Sequence, residues 1–200
     1  MDGFERRRER KKESIRRAAL ELFSKHGVQK VSIAEIAEKA NVSQVTIYNY
    51  FGSKDDLLRD VVQAFMDEIW KEYEELLKSD RPFPEKIKQL IVKEAKYAET
   101  INPDFLQAMM SDDPHIQQLF NNFYEKIYVP ALMTFFDEGR KAGYVKQDIS
   151  NEALLIYMNI LKDGMRPEMF SDQQQNVRLS KELIELFFYG LLEKKTEEDA

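Results

Sequence analysis

Apolar side chains recur at intervals of three and four residues along almost the whole of this 200-residue chain. That spacing gathers them on one face of an α-helix, and no stretch sustains the alternation of a half-buried strand. Gly and Pro number only 7 and 6. Breaks are therefore few, and the pattern predicts an all-α protein with short connections. Ile15, Ala18, Ala19, Leu22 and Phe23 fall at i, i+3, i+4, i+7 and i+8, which sets a first helix over about Ser14–His26. The charged residues before it can extend it, and Gly27 stops it. Ser32, with Glu35 three residues on, has the spacing of a capping box and opens a second helix to about Ala40. A third runs from Ser43 to Phe51. Ser53 and Asp56 open a long fourth helix to about Lys78. Ser79–Pro84 is the clearest break. Further helices are predicted over 84–101, 103–111, 114–142, 150–169 and 177–194, with Pro130 kinking the third of these.

Composition narrows the functional classes. The chain has no Cys, so it holds no disulfide, Cys nucleophile or thiolate metal site. Its two His, His26 and His115, have no partner at metal-binding spacing, and no metal or cofactor is expected. Adjacent acids such as Asp112–Asp113 and Glu74–Glu75 diverge by about 100° on a helix, so no catalytic pair is expected and the chain is not read as an enzyme. Residues 1–12 lack the apolar run of a secretory signal, and no apolar run is long enough to span a bilayer. A soluble cytoplasmic protein is expected. The net charge of -6 is uneven: residues 1–59 carry 13 Lys/Arg against 9 Asp/Glu, and residues 60–200 carry 17 against 27. A basic head on an acidic body suits contact between the head and a polyanion.

The second and third helices carry the most specific pattern. Ala37, Val42 and Ile47 are five residues apart. In a helix-turn-helix, the small alanine lets the helices approach, Val42 fills the space under the turn, and Ile47 roots the second helix. Asn41 stands where the turn needs positive φ. With Ile47 and Phe51 turned inward, Gln44, Val45, Thr46, Tyr48 and Asn49 face outward from a helix begun at Ser43. Hydroxyls and helix N-termini suit phosphates, and Gln and methyl groups suit base edges. Tyr50 and Lys54 add a phenol and a cation near the helix end.

Val31–Leu58, VSIAEIAEKANVSQVTIYNYFGSKDDLL, closely resembles the DNA-binding signature of TetR-family transcriptional regulators, and Ile15–Gly27, IRRAALELFSKHG, resembles that family's first helix. The match covers about residues 14–60. The resemblance implies that Gln44, Val45, Thr46 and Asn49 lie against bases or adjacent backbone, and Ser43, at the start of their helix, is a further expected DNA contact. It implies phosphate contacts for Tyr48, Tyr50 and Lys54, and places Ser32 and Ile33 at the start of the helix that crosses the DNA backbone. Asn41 replaces the usual turn glycine, and Ala34 lacks the polar side chain that some members use. The run Arg6, Arg7, Arg8, Arg10, Lys11, Lys12 reads either as an arm that touches DNA or as a solvated extension of the first helix. The chain divides on this reading into a DNA-binding domain, 1–52, and a helical effector-binding and dimerisation domain, 53–200, entered by the connecting helix 53–78.

In the remainder, LLIYMNIL (154–161) and LIELFFYGLL (183–192) are apolar nearly all round and need a second burial partner. They predict a subunit interface with Leu154, Leu155, Leu183, Phe187, Phe188, Gly190 and Leu191. Aromatic residues and methionines of the middle helices supply candidates for a ligand pocket. These are Trp70, Tyr97, Phe105, Met109, Met110, Phe123, Tyr124, Ile127, Tyr128, Phe136, Tyr157, Met158, Leu161 and Met165, each of which taken singly reads as core. Lys162 or Glu94 could pair with a charged ligand group, although exposure at the solvent is the expected place of both. The resemblance implies a homodimer on a pseudo-palindromic DNA operator, acting as a repressor that a small, largely apolar effector releases. The alternative is an architectural or partner-recruiting dimer without a ligand switch.

Overall fold

A computed structural model describes residues 3–164 and 172–191, the side chains at 4, 173 and 191 aside. The described residues form an all-α protein, with a helix-turn-helix bundle at the N-terminal end and a helical C-terminal domain. The helices are α1 (Gly3–His26), α2 (Ile33–Lys39), α3 (Gln44–Phe51), α4 (Lys54–Leu77), α5 (Phe83–Thr100), α6 (Pro103–Met109), α7 (Pro114–Phe123), α8 (Val129–Lys141), α9 (Asn151–Gly164) and α10 (Gln173–Leu191). A π-helical turn, Tyr124–Tyr128, joins α7 to α8.

Three elements depart from the predicted bounds for identifiable reasons. α1 starts at Gly3, and its charged extension lies along α3: the Arg8 guanidinium sits 5.9 Å from the Tyr50 ring centroid and the Lys12 ammonium 5.6 Å from that of Phe51. Pro130 does not simply kink one long helix. It has no N–H for the carbonyl four residues back, and the chain inserts a π turn just before it, closed by Val129 N–H donating to the Tyr124 carbonyl. α10 starts at Gln173, earlier than predicted, because Asp172 caps it by accepting from Gln175 N–H at 2.9 Å.

The packing separates two compact units. The first comprises the described residues through Trp70 together with Thr100–Gln117; the second comprises Lys71–Glu99 and the described residues from Gln118 onward. The division expected at residues 52 and 53 is thus not where the packing divides. The first seventeen residues of α4 belong with the head, and so does α6, some fifty residues further along. Leu57, Val61 and Val62 have no exposed surface. Phe105 of α6 is likewise fully buried, 6.3 Å from the Phe23 ring of α1 and 5.6 Å from the Phe65 ring of α4. The approach of α6 is fixed by Asn102, whose N–H donates to Ser24 O at 2.9 Å and whose side-chain amide donates to Lys25 O at 3.3 Å. Arg59 of α4 binds Asp113 at 2.6 Å, which holds that carboxyl down at about 2 with help from the Ile116 and His115 amides.

The second unit is built on α5, α8 and α10. Phe83 stacks on Phe135 (4.6 Å) and Tyr144 (5.8 Å), close over Gly139, where a Cβ would collide with it and with Val145. Lys86 is buried, but its ammonium donates to Leu77 O at 2.6 Å and pairs with Glu138 at 3.4 Å, so the charge is compensated at the end of α4. Phe187 of α10 packs on Phe136 and lies parallel to Tyr157.

Candidate nucleic-acid interface

The helix-turn-helix is fixed by local chemistry. Ser32 accepts from Glu35 N–H at 3.2 Å while the Glu35 carboxylate accepts from Ser32 N–H at 2.7 Å, a complete capping box. These bonds hold the Glu35 carboxyl below its ordinary range, the Ser32 hydroxyl contributing most. Asn41 has φ 54°, the expected left-handed residue, and the turn is closed by Val42 N–H donating to Ala37 O at 2.9 Å. Ile36, Ala37 and Ile47 form the buried seam. Ser43 then caps α3 by accepting from Thr46 N–H at 3.1 Å, and its hydroxyl meets Thr46 Oγ1 at 2.8 Å. Gly52, at φ 83°, ends α3 with its N–H on Tyr48 O. Asn41→Val is expected to lower unfolding stability in urea by about 1–2 kcal/mol, because a β-branched residue resists the left-handed region. Asn41→Gly should leave it unchanged or slightly higher.

With Ile47 fully buried, the opposite face of α3 is presented outward. Val45 is 66% exposed and Tyr48 49%, both unusual for large apolar residues. Ser43, Gln44 and Asn49 are exposed, and Thr46 and Tyr50 are half-buried. Ser32 is exposed at the start of α2. Two of the expected contact residues are placed differently. Ile33 is buried in the core, so its side chain cannot reach DNA. Lys54 is half-buried and donates to Val28 O at 2.7 Å, so any phosphate contact would use its remaining ammonium hydrogens.

The residues expected to line one pocket are divided. Trp70, Phe105, Met109 and Met110 belong to the first unit, where Phe105 and Met109 are core. Tyr97, Phe123, Tyr124, Ile127, Tyr128, Phe136, Tyr157, Met158 and Leu161 belong to the second, where Phe136 and Met158 are core. Met165 lies outside the described residues. The second unit also holds a group whose expected place is the solvent. Glu94 of α5 is only partly exposed and accepts from the Tyr73 hydroxyl at 2.9 Å. Burial raises its carboxyl above the ordinary range, and the Tyr73 bond offsets that in part. Burial together with the Glu94 charge raises the Tyr73 phenol. The signal was in the sequence: Glu94 continues the apolar stripe Ile87, Leu90, Tyr97 at helical spacing.

The expected interface residues of α9 and α10 also need correction. Leu154, Phe187 and Phe188 are core of the second unit, and Leu155 and Leu183 are half-buried. Gly190 is exposed, and the side chain of Leu191 lies outside the described residues. The surplus apolar surface belongs instead to Ile156 and Ile160 on α9, each 62% exposed, and to Leu186 (66%) and Tyr189 (65%) on α10. Spacings of four and three residues put each pair on one side of its helix. No helix among the described residues is long and apolar enough to cross a membrane.

Comparison with known proteins agrees with this geometry. Residues 15–61 match the family model of bacterial regulatory proteins, tetR family. The chain is 24% identical over 185 residues to the fatty acid metabolism regulator protein of Bacillus subtilis (strain 168), a match spanning 88% of this chain and 93% of that one. Its fold is similar to the crystal structure of the transcriptional regulator FadR from Bacillus subtilis in complex with stearoyl-CoA, with a TM-score of 0.61, 24% identity and coverage of 89% and 98%. It is also similar to a transcriptional regulator from Saccharomonospora viridis in complex with choline, with a TM-score of 0.66, 19% identity and coverage of 92% and 98%. The helix-turn-helix at the N-terminal end is thus of the tetR type, and the described residues beyond it share the all-helical architecture of these regulators.

Proposed function

We propose that the protein is a homodimeric, ligand-responsive repressor that reads a pseudo-palindromic operator with α3 and leaves it when a small, largely apolar effector binds the helical domain. The observation that carries DNA reading is the outward face of α3, with Val45 and Tyr48 exposed above a buried Ile47. Dimerisation is supported by the four exposed apolar residues of α9 and α10. A two-fold dimer would place its two recognition helices about 34–36 Å apart, one turn of DNA, or a multiple of that. Ligand response is supported by the similar regulators solved with stearoyl-CoA and with choline. α4 is the coupling element on this reading, since it follows α3 directly and runs unbroken to Leu77. A coupling of about 1–3 kcal/mol would change operator affinity about 5–150-fold.

The test is a binding selection on fragmented genomic DNA followed by sequencing of the bound pool. A few pseudo-palindromic sites would support a local repressor, and the neighbouring genes would nominate effectors. Many unrelated sites would support an architectural dimer, and no enrichment would sink the reading. On a selected operator, Gln44→Ala is expected to cost about 1–3 kcal/mol and to relax preference at one base position. Tyr48→Ala should weaken specific and random DNA alike with little change in salt dependence, while Lys54→Ala should lower the salt slope by about 1. Equal losses on operator and random DNA for Gln44→Ala would remove its base-reading role.

A further inference from the structure

Glu94 is the one acid of α5 in the middle of an apolar stripe, and its surroundings are unusual. Its hydrogen bond goes to a neutral phenol, Tyr73. The nearby lysine does not neutralise it: Lys93 binds Glu72 at 2.7 Å, and Tyr97 donates to the same Glu72 carboxylate. The acid is bordered by rings. Tyr73 stacks on Tyr97 at 6.2 Å, and the Tyr128 phenol lies within electrostatic range of Glu94. Tyr128 in turn stacks on Tyr124 at 5.9 Å, and the Tyr124 face already carries an ammonium, Lys162 Nζ, at 4.6 Å from its centroid. The π turn brings Tyr124 and Tyr128 into this run. Glu94, Tyr73 and Tyr97 each keep part of their surface exposed, and Tyr128 is 36% exposed, so the cluster is open to a ligand.

A carboxylate with no cationic partner among the described residues, bonded to one tyrosine hydroxyl and close to further tyrosines, favours one ligand chemistry. Ring faces attract cations whose hydration is weak, and a desolvated carboxylate adds a full opposite charge. An anionic headgroup would meet repulsion from Glu94 and from the negative faces of the rings. We propose that the cluster of Tyr73, Glu94, Tyr97 and Tyr128 binds an organic cation, a quaternary or tertiary ammonium on an apolar tail, and that this is the effector class of the protein. The inference rests on the ligand-responsive reading above and chooses the charge of the ligand within it.

The probes are octyltrimethylammonium, octanol and octanoate, three headgroup charges on one tail, titrated into the full chain below their micelle concentrations by calorimetry. The expected order is cation, then alcohol, then carboxylate, with the cation ahead of the alcohol by about 10-fold. Glu94→Gln keeps an acceptor for Tyr73 and should erase that advantage while leaving octanol unchanged. Tyr73→Phe keeps the carboxylate and should preserve it. Octanoate equal to or tighter than the cation, an unchanged ratio in Glu94→Gln, or no binding of any probe at millimolar concentration would overturn the proposal. A parallel titration on operator DNA separates the two readings. Glu94-dependent binding of the cation with no change in DNA affinity would sink the ligand switch and keep the site. Release by octanoate alone would keep the switch and sink the cation site.

Discussion

Alanine at Phe105 is expected to destabilise the DNA-binding unit by about 3–5 kcal/mol, the range for a fully buried phenylalanine. Phe105 lies outside the sequence of the helix-turn-helix, yet its ring fills the space between Phe23 of α1 and Phe65 of α4. Removing it leaves a cavity at the base of the bundle that orients α3. Chemical denaturation would report the loss in stability, and DNA binding should fall steeply near the new midpoint although no DNA-facing residue has changed. Leu106→Ala, at a half-buried neighbour on the same helix, should cost distinctly less. Equal, small effects at the two positions would mean that α6 is not part of the head's core.

The second large effect is expected at the proposed dimer face. Ile160→Asp with Leu186→Asp places a charge on each helix at positions 62% and 66% exposed in the isolated chain. The fold should survive, since neither side chain is core, and circular dichroism would verify that. Light scattering should show a monomer. Operator affinity should drop by about 10²–10⁴-fold, because the second half-site loses its effective-concentration advantage once the heads are unlinked. Leu154→Asp, at a core position, should unfold the second unit instead. A double variant that stays dimeric would move the interface elsewhere.

What could be read in the sequence was set by the range of the interactions. The caps at Ser32 and Ser53, the helix start at Ser43, the glycine stop at residue 27 and the left-handed Asn41 all depend on partners within five residues, and each forms as expected. The outward set on α3 follows from one buried residue, Ile47, and helical geometry. Phe105 and Met109 are recognisable as buried, but periodicity does not say against which element, so nothing in the sequence ties them to the head rather than to a pocket. In α9 and α10 the apolar residues run nearly all round the helix, and the stripe that faces the core cannot be told from the one that does not. Leu154 and Phe187, expected at the interface, are therefore core, and the exposed stripe carries Ile156 and Leu186. The place of Ile33 in the motif suggests a DNA contact, but its register on α2 turns it to the core. Pro130 signalled a disturbance, but whether a proline produces a bend or an added residue depends on its neighbours in space.

The return of α6 to the head has a consequence for how the protein is made and re-engineered. Translation runs at about 5–20 residues per second. The helix-turn-helix emerges first, but the Phe23 and Phe65 rings remain uncovered until Phe105 has followed, several seconds later at the slower rate. The nascent head would carry a sticky apolar floor for that interval, which is the type of surface that chaperones recognise. The same order governs grafting. A chimaera cut between α3 and α4, at the boundary that the DNA-binding motif suggests, would join a head to a body that no longer brings it a matching α6. Specificity swaps in this scaffold should therefore transplant α6 with α1–α4, or confine themselves to the outward residues of α3.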